Sequence, residues 1–227
     1  MNLQRRALPI VVGGLLAVSC GGETPSTPTT TGGGATSVTL TESAVQVIAN
    51  GCSSIEVHGA GMMVAPGRIA TVAHVVAGAT SVEVRGVHGT AEATISYFDP
   101  ILDVAVLKVG TAVARPVPIG DASPGDRGEV VVYRDEGPVE LPVDVQRLVN
   151  IRTADIYGQG RHIRPGYELT LDIHAGDSGA VVVIDSHAVA LVWATSRQAA
   201  ARAWAMRASL LSDHLSGDAP VDNGECA

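Results

Sequence analysis

Beyond residue 37 the chain is a succession of short apolar runs closed off by Gly, Pro, Asn or Asp. Runs of four to eight residues between turn signals are the pattern of β-strands, whereas helices need ten or more residues at a 3.6-residue period. The pattern predicts strands at Val38 to Thr41, Gly61 to Val64, Ile69 to Ala73 and Ser81 to Arg85. Asp103 to Val109 reads as a strand that begins on an acid and is apolar almost throughout, entered through a turn at Asp99-Pro100. Further strands are expected at Glu129 to Tyr133, Leu169 to Ile173, Ala180 to Ile184, Ala188 to Ala194 and Ala203 to Arg207. Ser209 stands as the N-cap of a last short helix through Leu215, with Leu210, Leu211 and Leu215 as its apolar positions. Pro116 to Gly128, rich in Pro, Gly and Asp, is placed as the boundary between two lobes. The expected fold class is all-β, as two packed β-barrels with a short C-terminal helix; no internal repeat is visible in the sequence.

The segment before this pattern is of another kind. Met1 to Arg6 is short and basic, and Ala7 to Val18 is an apolar run too short for a bilayer, which needs about 20 residues. Residues 1–20 are expected to be a signal peptide. Its end, Leu16-Ala17-Val18-Ser19-Cys20, resembles the lipobox at which a bacterial lipoprotein is cleaved and its cysteine, here Cys20, acylated. Ordinary secretion with cleavage nearby is the alternative. Gly21 to Ser37 is a run of Gly, Thr, Ser and Pro that cannot offset its own ordering entropy, so residues 21–37 read as a flexible linker to a folded domain at 38–227. A lipid on Cys20 would hold that domain at the membrane without spanning it, on the periplasmic or extracellular face.

Composition changes this picture in three ways. The chain has 227 residues, 46% of them apolar and 3% aromatic, which allows a real core filled mainly by aliphatic side chains. Its formal charge is −8, and losing residues 1–19, with Arg5 and Arg6 and no acid, would take it to −10. A phosphate-binding surface needs clustered Lys and Arg, so nucleic acid is not an expected partner. With Cys20 used for lipid, Cys52 and Cys226 remain as an even pair in an oxidising compartment and are expected to bond, two free thiols being the alternative. Such a bridge would close nearly the whole domain and stabilise it by about 5 kcal/mol on the chain-entropy model.

Candidate chemistry centres on Gly176-Asp177-Ser178-Gly179, which offers a nucleophile in a tight turn whose backbone N–H groups can converge on one point. Gly, Asp and Ser are also ordinary turn residues, so the tetrapeptide alone is not decisive. A serine needs a base. Of seven histidines, His74 has the distinctive setting, directly after the apolar run Thr71-Val72-Ala73 and before the small-residue turn Ala77-Gly78-Ala79. An imidazole in that role needs a carboxylate acceptor at the rim of the core, and Asp103 opens a strongly apolar strand. Asp99 competes, but it precedes Pro100 in a turn expected to be exposed. There is no HExxH, CxxC or clustered acidic loop, so neither metal nor cofactor is expected.

His74 in TVAHVVAG, Asp103 in DPILDVAVLKV and Ser178 in AGDSG follow the order and approximate spacing of trypsin-fold proteases of the HtrA-like kind, and this stretch from about Gly61 to Leu211 resembles that family. Ala154-Asp155-Ile156-Tyr157-Gly158, the acidic strand into AGDSG and the two flanking cysteines resemble more narrowly the MarP-type proteases of actinobacteria. The resemblance implies two six-stranded barrels with His74, Asp103 and Ser178 in the cleft between them. It implies an oxyanion hole from the N–H groups of Gly176 and Ser178, and a bonded Cys52–Cys226 pair that supports the active form. Asp172, six residues before Ser178, would lie near the base of the primary specificity pocket, with His174 close enough to line it. Two departures stand out. Ala180 replaces a usual glycine, and no free N-terminus is available to partner Asp177.

The function so implied is a metal-independent serine endopeptidase acting on protein or peptide substrates, exported and lipid-anchored. The alternative is a catalytically silent protease-fold lipoprotein that binds peptides or a protein partner. An esterase of the α/β-hydrolase kind would carry its histidine last in the chain, whereas the order here is His, Asp, Ser. Intact-mass analysis of the exported protein is expected to show a lipid adduct on Cys20 and no alkylation of Cys52 or Cys226 until a reductant is added. An unmodified Cys20, or alkylation of the other two without reductant, would contradict these expectations.

Overall fold

A computed structural model of the chain describes residues 40–51, 55–134, 137–196 and 199–227. The expected signal peptide, Cys20, the linker at 21–37 and Cys52 lie outside these residues. Strands β1 (Ala44–Asn50), β2 (Val57–Ala65), β3 (Arg68–Thr71), β4 (Ser81–Gly86), β5 (Gly89–Asp99) and β6 (Val104–Val109) form a first antiparallel sheet. Its order is β1-β2-β3-β6-β5-β4, and pairing of β4 with β1 closes it into a barrel. Strands β7 (Arg127–Arg134), β8 (Gly137–Thr153), β9 (His162–Thr170), β10 (Val181–Ile184), β11 (His187–Thr195) and β12 (Arg202–Arg207) form a second. There the order is β7-β8-β9-β12-β11-β10, closed between β10 and β7. Taken in chain order the two barrels have one topology, a structural repeat with no counterpart in the residues. The chain passes from one to the other through residues 110–126.

The apolar runs are continuous, rather than alternating, where both faces of a strand are covered. All four residues of β10 are buried: Val182 and Ile184 face the second barrel's own core, while Val181 and Val183 pack into the cluster that includes β1, β2 and β6. Val131 and Leu191 likewise face the first barrel's cluster, and their neighbours Val130, Val132, Ala190 and Val192 face inward. Ala60 of β2 returns the contact by packing into the second barrel's cluster. Period-two geometry thus turns each apolar run into two faces, one that fills a barrel and one that joins the barrels.

Several elements depart from the sequence reading. Of the strand expected at Val38 to Thr41, residues 38–39 lie outside the described set, and Leu40 and Thr41 belong to a helical turn, α1 (Leu40–Ser43). The run Ile69 to Ala73 leaves the sheet at Thr71, and Ala73 opens a one-turn helix, α2 (Ala73–Val76). Asp103 precedes the strand instead of opening it, with φ of 59°. Leu169 to Ile173 is a strand only to Thr170; Leu171 and Ile173 are buried in irregular backbone. Strands β1, β5 and β8 are additional to the stretches read, although β1 is apolar at five of its seven positions and β5 alternates Ala91, Ala93, Ile95 and Tyr97 with polar residues. In β8, 17 residues that include Pro138 and Pro142, just two positions, Val143 and Val145, are buried, because much of the β8–β9 ribbon is solvated. The terminal helix is a 3-10 helix, Ala208–His214, without a side-chain cap; Ser209 Oγ donates instead to Asp121 Oδ1 at 2.9 Å.

After that helix the chain folds back over the first barrel. Arg68 donates to Leu215 O at 2.6 Å and to Asp218 Oδ1 at 2.7 Å, and Lys108 reaches the same carboxylate at 2.8 Å. These two cations hold the Asp218 carboxyl below its ordinary range. Asn223 Nδ2 donates to Val76 O, at the end of α2, and to Ala79 O, in the turn that follows it. Among the described residues no helix is long and apolar enough to cross a membrane.

Candidate active site

α2 places His74 at the end of the first barrel. Its backbone N–H donates to Asp103 Oδ1 at 2.9 Å, and its Nδ1 lies 2.9 Å from Asp103 Oδ2 and 3.1 Å from Oδ1. Asp103 sits in the β5–β6 turn, where its positive φ aims a carboxylate with only 2% exposure toward α2. Asp99, the competing acid, caps the same turn: its Oδ1 accepts the N–H groups of Ile101 and Leu102, both at 2.8 Å. An imidazole bonded at Nδ1 to a buried carboxylate keeps Nε2 available to accept a proton.

Ser178 follows a turn in which Asp177 N–H donates to His174 O at 3.1 Å. Gly176, at the third position of that turn, has φ of 95°, the left-handed value a type II turn requires there. Neither Gly176 N–H nor Ser178 N–H bonds a backbone carbonyl among the described residues. Gly179 is the second fixed glycine, with φ of 88° and no room for a side chain: a Cβ would stand 2.1 Å from Ala60 O and 2.6 Å from Thr71 Oγ1. Ala180 sits with ordinary backbone, fully buried beside Ala60, so its methyl group fills core volume below the turn without distorting it.

Asp177 is fully buried and needs a counter-charge. Arg134, at the end of β7, supplies it: Nη1 bonds Asp177 Oδ1, while Oδ2 accepts His174 N–H at 2.7 Å. A second nitrogen of Arg134 lies 3.2 Å from His174 Nδ1. Asp177 therefore has its counter-charge from an internal arginine.

The Ser178 turn and α2 meet through β2. Ala60 N–H donates to Ser178 O at 2.8 Å, and Thr71 Oγ1, three residues before His74, donates to Ala60 O at 2.8 Å. A side chain at Gly59 would meet Val75 at 2.7 Å and Ser178 O at 3.0 Å. No hydrogen bond joins Ser178 Oγ to His74 among the described residues. A cleft of about 690 Å³ opens beside the Gly176 turn, lined by Gln46 and His58 from the first barrel and Tyr133, Arg134 and His174 from the second. Burial pushes the Tyr133 hydroxyl up to about 12, so it stays protonated as it donates to Ala44 O. His174 is exposed at the cleft wall; Asp172 is exposed and has no ion pair among the described residues.

Two closed barrels of identical topology, with His74 paired to a buried Asp103 and the Ser178 turn bonded to β2, define a class, and the chain belongs to the trypsin-like peptidase family. The model of the trypsin-like peptidase domain matches residues 59–191. Two Mycobacterium tuberculosis proteins, serine protease MT3772 and serine protease Rv3671c, are each 28% identical over 191 residues, 80% of this chain and 48% of theirs. The chain thus spans about half the length of the curated relatives it matches. Among solved structures, the active form of the Rv3671c protease has a TM-score of 0.75 at 26% identity, covering 82% of this chain and 86% of that one. Its inactive form has a TM-score of 0.67 at 26% identity, covering 78% and 89%. The HtrA-type protease AlgW with a tripeptide, at 17% identity and TM-score 0.65 over 77% of this chain and 59% of that one, shares the fold. These matches agree with the HtrA-like and MarP-type resemblance read from the sequence.

Sequence reasoning missed two arginines at the site. Arg134 ends an apolar strand and Arg164 lies between Ile163 and Pro165, positions that look solvated until the strands are assembled. A buried carboxylate at Asp177 was the available signal that some cation had to be near. Arg134→Ala is expected to lower the unfolding free energy by about 1–3 kcal/mol, below a fully buried pair because Arg134 is one-third exposed, with Arg134→Lys recovering part. Urea denaturation measures it, and a variant as stable as the parent would contradict the assignment.

Proposed function

We propose that the chain is a serine endopeptidase that hydrolyses protein or peptide substrates in the cell envelope or outside it. The observation that carries the reading is the pairing of His74 Nδ1 with the buried Asp103 beside the Ser178 turn. Ser178 Oγ attacks the scissile carbonyl carbon as His74 Nε2 takes its proton, and Asp103 orients the imidazole and stabilises the imidazolium. The carbonyl oxygen becomes an oxyanion received by the Gly176 and Ser178 N–H groups, which bond no backbone carbonyl among the described residues. Collapse breaks the C–N bond, and the His74 proton goes to the leaving amine. Water, deprotonated by His74, then hydrolyses the acyl-enzyme and restores Ser178. The higher TM-score to the active form of the M. tuberculosis protease supports a competent site.

Asp172, exposed and without an ion pair among the described residues, is placed to meet a substrate Arg or Lys, so cleavage after basic residues is part of the proposal. His174 lines the neighbouring cleft and takes no proton-transfer step. Export by residues 1–20 and anchoring through a lipid on Cys20 rest on the sequence pattern alone. The Cys52–Cys226 bridge is supported by geometry near its ends. Gly78 N–H donates to Asn223 O and Thr80 N–H to Asn50 O, so the segments leading to both cysteines converge on one loop.

One observation favours the silent alternative, the missing Ser178–His74 hydrogen bond. Catalytic hydrogen bonds often form only once substrate is bound, so the endopeptidase reading stands ahead of it. Residues 38–227 compared with Ser178→Ala on casein and a peptide library decide between them. The parent is expected to cleave, with Arg and Lys preferred over Leu, and to lose activity on reduction; the variant should lose turnover by a factor on the order of 10⁶. An inactive parent would sink the endopeptidase reading, and equal turnover of Arg and Leu peptides the role of Asp172.

A further inference from the structure

Arg164 belongs to β9 of the second barrel, is 2% exposed, and spends its donors on the loop that carries Asp103 and on the end of β8. Nε donates to Ile101 O at 2.7 Å, Nη1 to Asp103 Oδ2 at 3.4 Å and Nη2 to Ala154 O at 3.1 Å. Its guanidinium carbon lies 4.9 Å from the centre of the Trp193 ring. A planar guanidinium bonded to two carbonyls and stacked on an indole is held in one place. Burial pulls its acidity constant below the ordinary value, opposed by the carboxylates of Asp103, Asp155 and Asp99. Asp99 Oδ1 is occupied by the backbone N–H groups of Ile101 and Leu102, and Asp155 Oδ1 by those of Tyr157 and Gln159. Asp103 is the carboxylate that touches the guanidinium.

We infer that Arg164 is a positioning residue for the proposed hydrolysis: it clamps Asp103 from the opposite barrel and sets the acid limit of the enzyme's working range. The inference rests on the Ser-His-Asp reading. Asp103 Oδ2 faces two cations, the imidazolium when it forms and the permanent guanidinium. The shorter contact is to His74, so the imidazole keeps its orienting bond while the longer contact fixes the carboxylate from behind. The resting base must be neutral. A fixed guanidinium on the far side of Asp103 opposes the gain of a further positive charge at the Asp103–His74 pair. Removing the charge moves the acid limb of kcat/KM upward; a residue that merely fills space would leave the limb where it is.

The test is the pH profile of peptide hydrolysis by the parent, Arg164→Leu, Arg164→Gln and Arg164→Lys, with urea denaturation alongside. The neutral variants are expected to raise the acid limb by about one pH unit, a tenfold loss on that limb, and Arg164→Lys to hold it near the parent's position at reduced stability. Folded neutral variants with an unmoved limb in the presence of an active parent would overturn the inference and leave the endopeptidase reading intact, whereas an inactive parent would remove that reading first. Should the neutral variants not fold, Arg164→Leu combined with Asp103→Asn decides. Recovery of a folded protein would trace the loss to a stranded carboxylate, and no recovery would overturn the clamp.

Discussion

A carboxylate almost sealed from water holds its charge only if donors and cations surround it, and much of this site's arrangement follows from meeting that demand at Asp103. The first barrel supplies the His74 backbone N–H and imidazole, and the second supplies Arg164. Because the partners come from both sides, the carboxylate is set only when the barrels are docked. The valine-rich strands that dock them, with one face inward and the other across the interface, therefore also serve the chemistry.

A second buried carboxylate imposes the same demand on the Ser178 turn. Asp177 is satisfied by Arg134 and by the His174 N–H, and that pairing holds the turn in which Gly176 takes its left-handed conformation. Gly179 lets the turn settle against Ala60, where Thr71 is also bonded. The Ser178 turn and the Thr71–His74 segment are thus referred to one short piece of β2, and each of the two buried acids carries its own arginine.

Much of this was legible before any coordinates. Strands buried on both faces, such as Val104 to Val109 and Val181 to Ile184, announce themselves as apolar runs, and the His, Asp and Ser motifs are local in sequence. What stayed hidden was set by tertiary packing. β8 is long, largely solvated and interrupted by prolines, so it has no periodic signature. The helical turn at Ala73–Val76 is too short to show a period, and the expected helix at Ser209 tightened into a 3-10 form. Arg134 and Arg164 could not be found from spacing, because an arginine declares itself a buried counter-ion only when a distant strand brings its acid alongside.

The most direct test of the account is the rate at which a fluorophosphonate labels Ser178 in the parent and in Asp103→Asn, with the modified peptide mapped. If Asp103 holds His74 as the base for Ser178, the parent labels at Ser178 and the variant reacts slower by a factor on the order of 10⁴. Equal labelling of the two proteins, or a parent that does not react at Ser178, would contradict it.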